Sequence, residues 1–189
     1  FDMTLFLQNK VDAAAAMTYN ELAQVLETKN PDTGKLYTLA DLNVITMEKA
    51  GTAMLEDGVF AQGAWLKDAK NQDIAKRFLA ASYKGWAFCR DNVKACTGIV
   101  LKAGTTLGAG HQLWQMNEIN KLIWPASLGV GVMNPVAFAR TAKISQQFKV
   151  TSKLQGKSAY RTDLSRAALA LLKKQGVNVT GKGYKPIVV

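Results

Sequence analysis

Apolar residues recur along this chain in two rhythms, and each change of rhythm marks an element. From Val11 to Met17 the run VDAAAAM is small or apolar apart from Asp12, then breaks into Thr18, Tyr19, Asn20 and Glu21. A short apolar run bounded by turn residues, here Asn9 and Lys10, predicts a buried strand, with alanine's helix propensity as the competing tendency. TYNELAQVLET then sets Leu22, Val25 and Leu26 on one helical face. Thr18 is placed to cap that helix, with Glu21 three residues on as its capping-box partner. Leu42–Met47 and VFAQG after Gly58 predict two further strands, and the terminal KPIVV a fourth. Strand–helix alternation of this kind predicts an α/β fold.

Helical spacing dominates the remainder. Asn71 heads a helix marked by Ile74, Phe78 and Ala81, with Ala75 and Leu79 beside them, running through Tyr83 and Trp86 towards Cys89. Beyond a loop holding the cysteines and the GTTLGAG stretch, HQLWQMNEINKLIW is a helix stopped by Pro125. Leu113, Met116, Asn120 and Ile123 share one of its faces. The glycine-rich SLGVGVMNP leads into a helix over Val136–Phe148. The last helix has Thr162 at its cap, Leu164, Ala168 and Leu171 facing inward, Lys173 and Lys174 in the final turn and Gly176 beyond. Three or four strands are few for so many helices. Either they join a sheet made by residues outside this chain, or the domain is unusually helix-heavy; the first is preferred. The opening FDMTLFLQNK reads as the middle of a helix, so the expectation is a processed, truncated or separately encoded piece.

Composition narrows the function. The chain has 189 residues, 48% of them hydrophobic, enough for a packed core. No apolar run approaches the roughly 18 residues that would span a bilayer. Net charge is +10. The basic residues are scattered rather than clustered, which favours a solvated surface over nucleic acid. Cys89 and Cys96 have neither metal-site nor redox-motif spacing. They form a local disulfide in an oxidising compartment or remain two unrelated thiols, and the first is preferred.

Catalytic chemistry finds little support. The single histidine, His111, excludes most triad, dyad and zinc arrangements. Its place at a helix start suits a surface or capping role. Gly108 and Gly110 lack the rest of a dinucleotide fingerprint. Glu56 and Asp57 are adjacent carboxylates in a turn. The strongest candidate is the end of the first apolar run, because side chains at the carboxyl end of a strand converge on the ligand crevice of α/β sheets. Tyr19 offers a stacking face, Asn20 a donor and an acceptor, and Glu21 two acceptor oxygens, a set suited to a flat nitrogen-rich ligand. An equally good reading has Glu21 closing the capping box and Tyr19 packing on the next helix.

DMTLFLQNKVDAAAAMTYNELAQVLE, AGTAMLEDGVFAQGAWL, RFLAASYKGWAFCRDN and AYRTDLSRAALALLKKQGVNVTGKGYKP resemble the C-terminal part of ABC-transporter substrate-binding proteins. The likeness is to the group that binds the thiamine pyrimidine precursor, nitrate, sulfonate or riboflavin. It implies a type II periplasmic-binding-protein-like α/β fold of two lobes, an N-terminal lobe ahead of this chain, and delivery of a small ligand to a membrane permease. Residues 1–50 would then belong to the second lobe, 51–62 would cross the hinge, and 63–189 would return to the first lobe. The resemblance also implies a location in the periplasm or outside the cytoplasmic membrane. By the same likeness, Tyr19 and Glu21 flank Asn20 as an aromatic and an acid holding a heterocycle, and Asp57 lies near the cleft mouth. Trp86 and Trp114 fit core packing better than ligand stacking. No metal, cofactor or nucleic acid is expected. A nitrate- or sulfonate-type anion is the alternative ligand, and a pyrimidine-synthesising enzyme relative the alternative activity.

Overall fold

The computed structural model describes residues 2–188. Their regular structure is helical: α1 (Thr4–Leu7), α2 (Glu21–Leu26), α3 (Ala69–Asp91), α4 (Val93–Ala103), α5 (Ala109–Ile123), α6 (Pro135–Gln147) and α7 (Asp163–Lys174), with short 3₁₀ turns between. Among the described residues the only β pairing is an isolated bridge between Lys29 and Leu36.

This corrects the α/β, type II periplasmic-binding-protein-like expectation: there is no sheet among the described residues. The apolar run from Val11 to Met17 has no regular structure and is exposed from end to end. A strand is stabilised by cross-strand pairing and by burial of a face, and this segment has neither. The other three strand expectations fail in the same way. Ile45 is 72% and Phe60 95% exposed, and residues 185–188 of KPIVV form no strand, Val189 lying outside the described residues.

Contacts divide the chain into two units. The first comprises Phe1–Val44, Phe88–Pro125 and Gly183–Val189. Its framework is α5 packed against α4 and α2, over Met3, Ala23, Val25, Val93, Cys96, Met116 and Trp124. Polar groups inside it are paired. Asn120, fully buried, donates to the Cys89 carbonyl at 3.3 Å and accepts the Trp124 indole N–H at 3.2 Å. Arg90 stacks 4.5 Å over the Trp124 ring while its Nε and Nη2 donate to the two Asp91 carboxylate oxygens. Helix α4 stands where the sequence predicts a loop holding the cysteines. It buries Val93, Cys96 and Thr97 on one face, and Thr97 Oγ1 bonds back to the Val93 carbonyl at 2.9 Å.

The second unit comprises Ile45–Ala87 and Ala126–Lys182. Here α3 buries Leu79, Tyr83 and Ala87, an i, i+4 stripe, whereas Ile74 and Phe78 of the expected face are exposed. In α7 the buried positions are Ser165, Ala168, Leu169 and Leu172, and Leu171 is turned outward. Asn134 caps α6 by accepting the Val136 and Ala137 N–H groups, with Pro135 at the first helical position. Arg140 and Thr141 of α6 bond the backbone of Ala53 and Leu55. The Tyr83 hydroxyl lies 3.0 Å from Ser165 Oγ and 3.3 Å from the Gly131 carbonyl oxygen. Gly131 has φ +74°, and a Cβ there would fall 2.2 Å from the Tyr83 ring, so this approach requires glycine.

Candidate functional site

The break in apolar pattern at Met17–Glu21 is a turn that feeds α2. The Met17 carbonyl accepts from Asn20 N at 3.2 Å and Leu22 N at 3.1 Å, while Met17 N donates to Glu21 Oε2 at 2.9 Å. The helix therefore opens two residues later than the Thr18 cap would place it. Asn20 takes the N-cap position without a side-chain cap bond, and Glu21 reaches back to Met17 instead. Glu21 is only 3% exposed, a carboxylate tucked beneath its own turn. Tyr19 and Asn20 are half-buried above it.

Helix α5 completes the arrangement with residues one helical turn apart. Trp114 Nε1–H donates to the Thr18 carbonyl at 3.0 Å. The His111 ring lies between the two ends of α2, with Nε2 2.9 Å from Asn20 Oδ1 and Nδ1 3.1 Å from Glu27 Oε2. Sequence alone suits His111 to a surface or capping role and Trp114 to core packing. Their partners lie 91, 84 and 96 positions away, and no local signal could have paired them. The i, i+3 spacing of a histidine and a tryptophan on one helix was the only visible hint.

The structure brings Tyr19, Asn20 and Glu21 together with His111, Trp114 and Glu27. Asp57 belongs to the second unit, exposed in a segment without regular structure. Trp86 is half-buried on α3. Cys89 and Cys96 are joined in a disulfide with Cα atoms 5.1 Å apart, linking α3 to α4 across the break at Asn92. Elsewhere in the first unit an open groove of about 780 Å³ is lined by Arg90, Lys94, Leu113, Lys185 and Ile187, among others. The Met17–Glu21 turn is not part of it.

The profile of the family described as NMT1/THI5 like matches residues 1–95. The chain belongs to the NMT1/THI5-like family. Proteins of the NMT1/THI5-like family are extracytoplasmic solute-binding proteins, which take small ligands and work with permeases. The match contains Tyr19, Asn20, Glu21 and Asp57, whereas His111 and Trp114 lie beyond it. Neither the comparison with curated proteins nor that with solved structures returns a match. Among the described residues no helix is long and apolar enough to cross a membrane, and no cluster of three His, Cys, Asp or Glu side chains could hold a metal ion.

Proposed function

We propose that this chain is the solute-binding component of an ABC importer, holding a small nitrogen heterocycle and releasing it to a permease without chemistry. The thiamine pyrimidine precursor is the preferred ligand, with a riboflavin-like ring system as a close variant. The supporting observation is that the family match spans the turn at Tyr19, Asn20 and Glu21, whose backbone is fixed by bonds at Met17 and whose flank is held by α5. On this reading Tyr19 supplies the stacking face, Asn20 the amide and Glu21 a carboxylate that answers ring or exocyclic N–H groups. Setting an anion against Glu21 would add like-charge repulsion to desolvation, which disfavours nitrate or sulfonate at this turn. The family of extracytoplasmic binding proteins supports a periplasmic or outer-face location, and the Cys89–Cys96 bridge suits an oxidising compartment.

A second reading, binding of a nitrate- or sulfonate-type anion, draws on the groove at Lys94 and Lys185. Native mass spectrometry of gently purified protein separates the two. A retained nitrogen heterocycle supports the first reading. A retained oxyanion, lost on Lys94→Ala and Lys185→Ala substitution, supports the second and overturns the first.

A further inference from the structure

The one histidine of the chain sits between two oxygen atoms on different side chains. Glu27 Oε2 faces Nδ1 at 3.1 Å and Asn20 Oδ1 faces Nε2 at 2.9 Å. An ionised carboxylate can only accept, so Nδ1 must carry a proton whether the ring is charged or neutral. Glu27 therefore fixes the tautomer.

The consequence falls on Asn20. When the imidazole is charged, Nε2–H donates to the Oδ1 that faces it at 2.9 Å, and the outer edge of the amide is its NH₂ group. When the ring is neutral, Nε2 bears only a lone pair, and the amide must turn its NH₂ inward. Its carbonyl oxygen then becomes the outer edge. Asn20 is half-exposed beside Tyr19, so its outer edge faces whatever occupies the turn.

We propose that His111 is a specificity-determining positioning residue, whose protonation selects whether Asn20 offers a ligand a donor or an acceptor. The proposal rests on the heterocycle reading of this turn. The charged groups around it are accounted for. On α2 Glu27 pairs with the ring, and Glu21, beneath the turn, accepts the Met17 N–H through Oε2 alone. On α5 itself Glu118 and Lys121 pair with each other. The packed helix α4 carries Lys94 and Lys102.

Nitrogen-15 spectra of the His111 ring in the full chain, recorded from about pH 5 to 8, test the proposal without any ligand. The neutral ring is expected to hold its proton on Nδ1, and Glu27→Ala to move it to Nε2. An Nε2–H ring in the native chain, or a tautomer indifferent to Glu27→Ala, would overturn it. Cytosine and uracil provide the binding arm, because they exchange an exocyclic donor for an acceptor. The cytosine-to-uracil affinity ratio is expected to rise with pH by about three- to tenfold in the native chain and to stay flat in His111→Gln. An equal rise in His111→Gln overturns the proposal. If neither pyrimidine binds at any pH, the heterocycle reading fails, and the ring spectra alone decide the role of His111.

Discussion

Asn117 and Ile187 exchange two hydrogen bonds: the side-chain Nδ2–H donates to the Ile187 carbonyl and Oδ1 accepts the Ile187 N–H, each at 3.1 Å. A side-chain amide thus does for one residue what a neighbouring strand does for many, and it ties the chain end to α5. Asn117 is 2% exposed, so truncation removes both bonds from a dry site. Asn117→Ala is expected to cost about 2 kcal/mol in denaturant unfolding and to speed amide exchange at Ile187. Unchanged exchange there would show that other contacts hold the segment.

In the second unit the approach of Gly131 to Tyr83 carries a similar weight. Gly131→Ala meets both a left-handed backbone and a ring 2.2 Å away, so a loss of about 3 kcal/mol or more is expected. Tyr83→Phe, which removes only the hydroxyl bonds to Ser165 and the Gly131 carbonyl, should cost about 1–2 kcal/mol. Thermal melts of the two variants check the ordering.

Tyr83 also sets an alkaline limit. Burial pushes its phenol above the ordinary value of 10.0, against a smaller opposing effect of the Ser165 bond. A folded value above the unfolded one means the unfolded chain loses its proton first. This contribution to stability is therefore complete below about pH 10 and is lost as pH rises through the raised folded value. Tyr184, pushed up by burial and then by Glu118, acts in the same direction. Unfolding measured on either side of pH 10 should show a decline in the native chain that Tyr83→Phe reduces and Tyr83→Phe with Tyr184→Phe reduces further.

The Cys89–Cys96 bridge closes a short loop and joins the last turns of α3 to α4 within the first unit. Reduction is expected to destabilise the chain by about 2–3 kcal/mol and to add the mass of two hydrogens. A chain whose melting temperature does not change on reduction would mean that packing of α4 on α5 fixes this corner without the bond.

What the sequence made legible followed from local rules. The helix expected over Val136–Phe148 and the body of α7 were readable because helical spacing and helix ends act within a few residues. The strands were not, because a strand exists only with a partner, and the run Val11–Met17 has none among the described residues. Faces were misjudged where two stripes competed: on α3 Ile74 and Phe78 stand outside while Leu79, Tyr83 and Ala87 go in. Helix α4 was hidden because the cysteine pair suggested a loop, although Val93, Cys96 and Val100 already had helical spacing. At the candidate site the turn residues were legible as a break in pattern. Their α5 neighbours were not, since contacts across 84 to 96 positions leave no mark in a single sequence.

Calorimetric titration of the native chain and of Glu21→Gln with the pyrimidine precursor of thiamine tests the central claim most directly. Glutamine keeps the size of the side chain and an oxygen for the Met17 N–H, so the melting temperature should hardly move. Loss of the charge-assisted bond to the ligand should weaken binding by at least about tenfold. Equal affinity in the two forms, or no binding by either, would contradict the account.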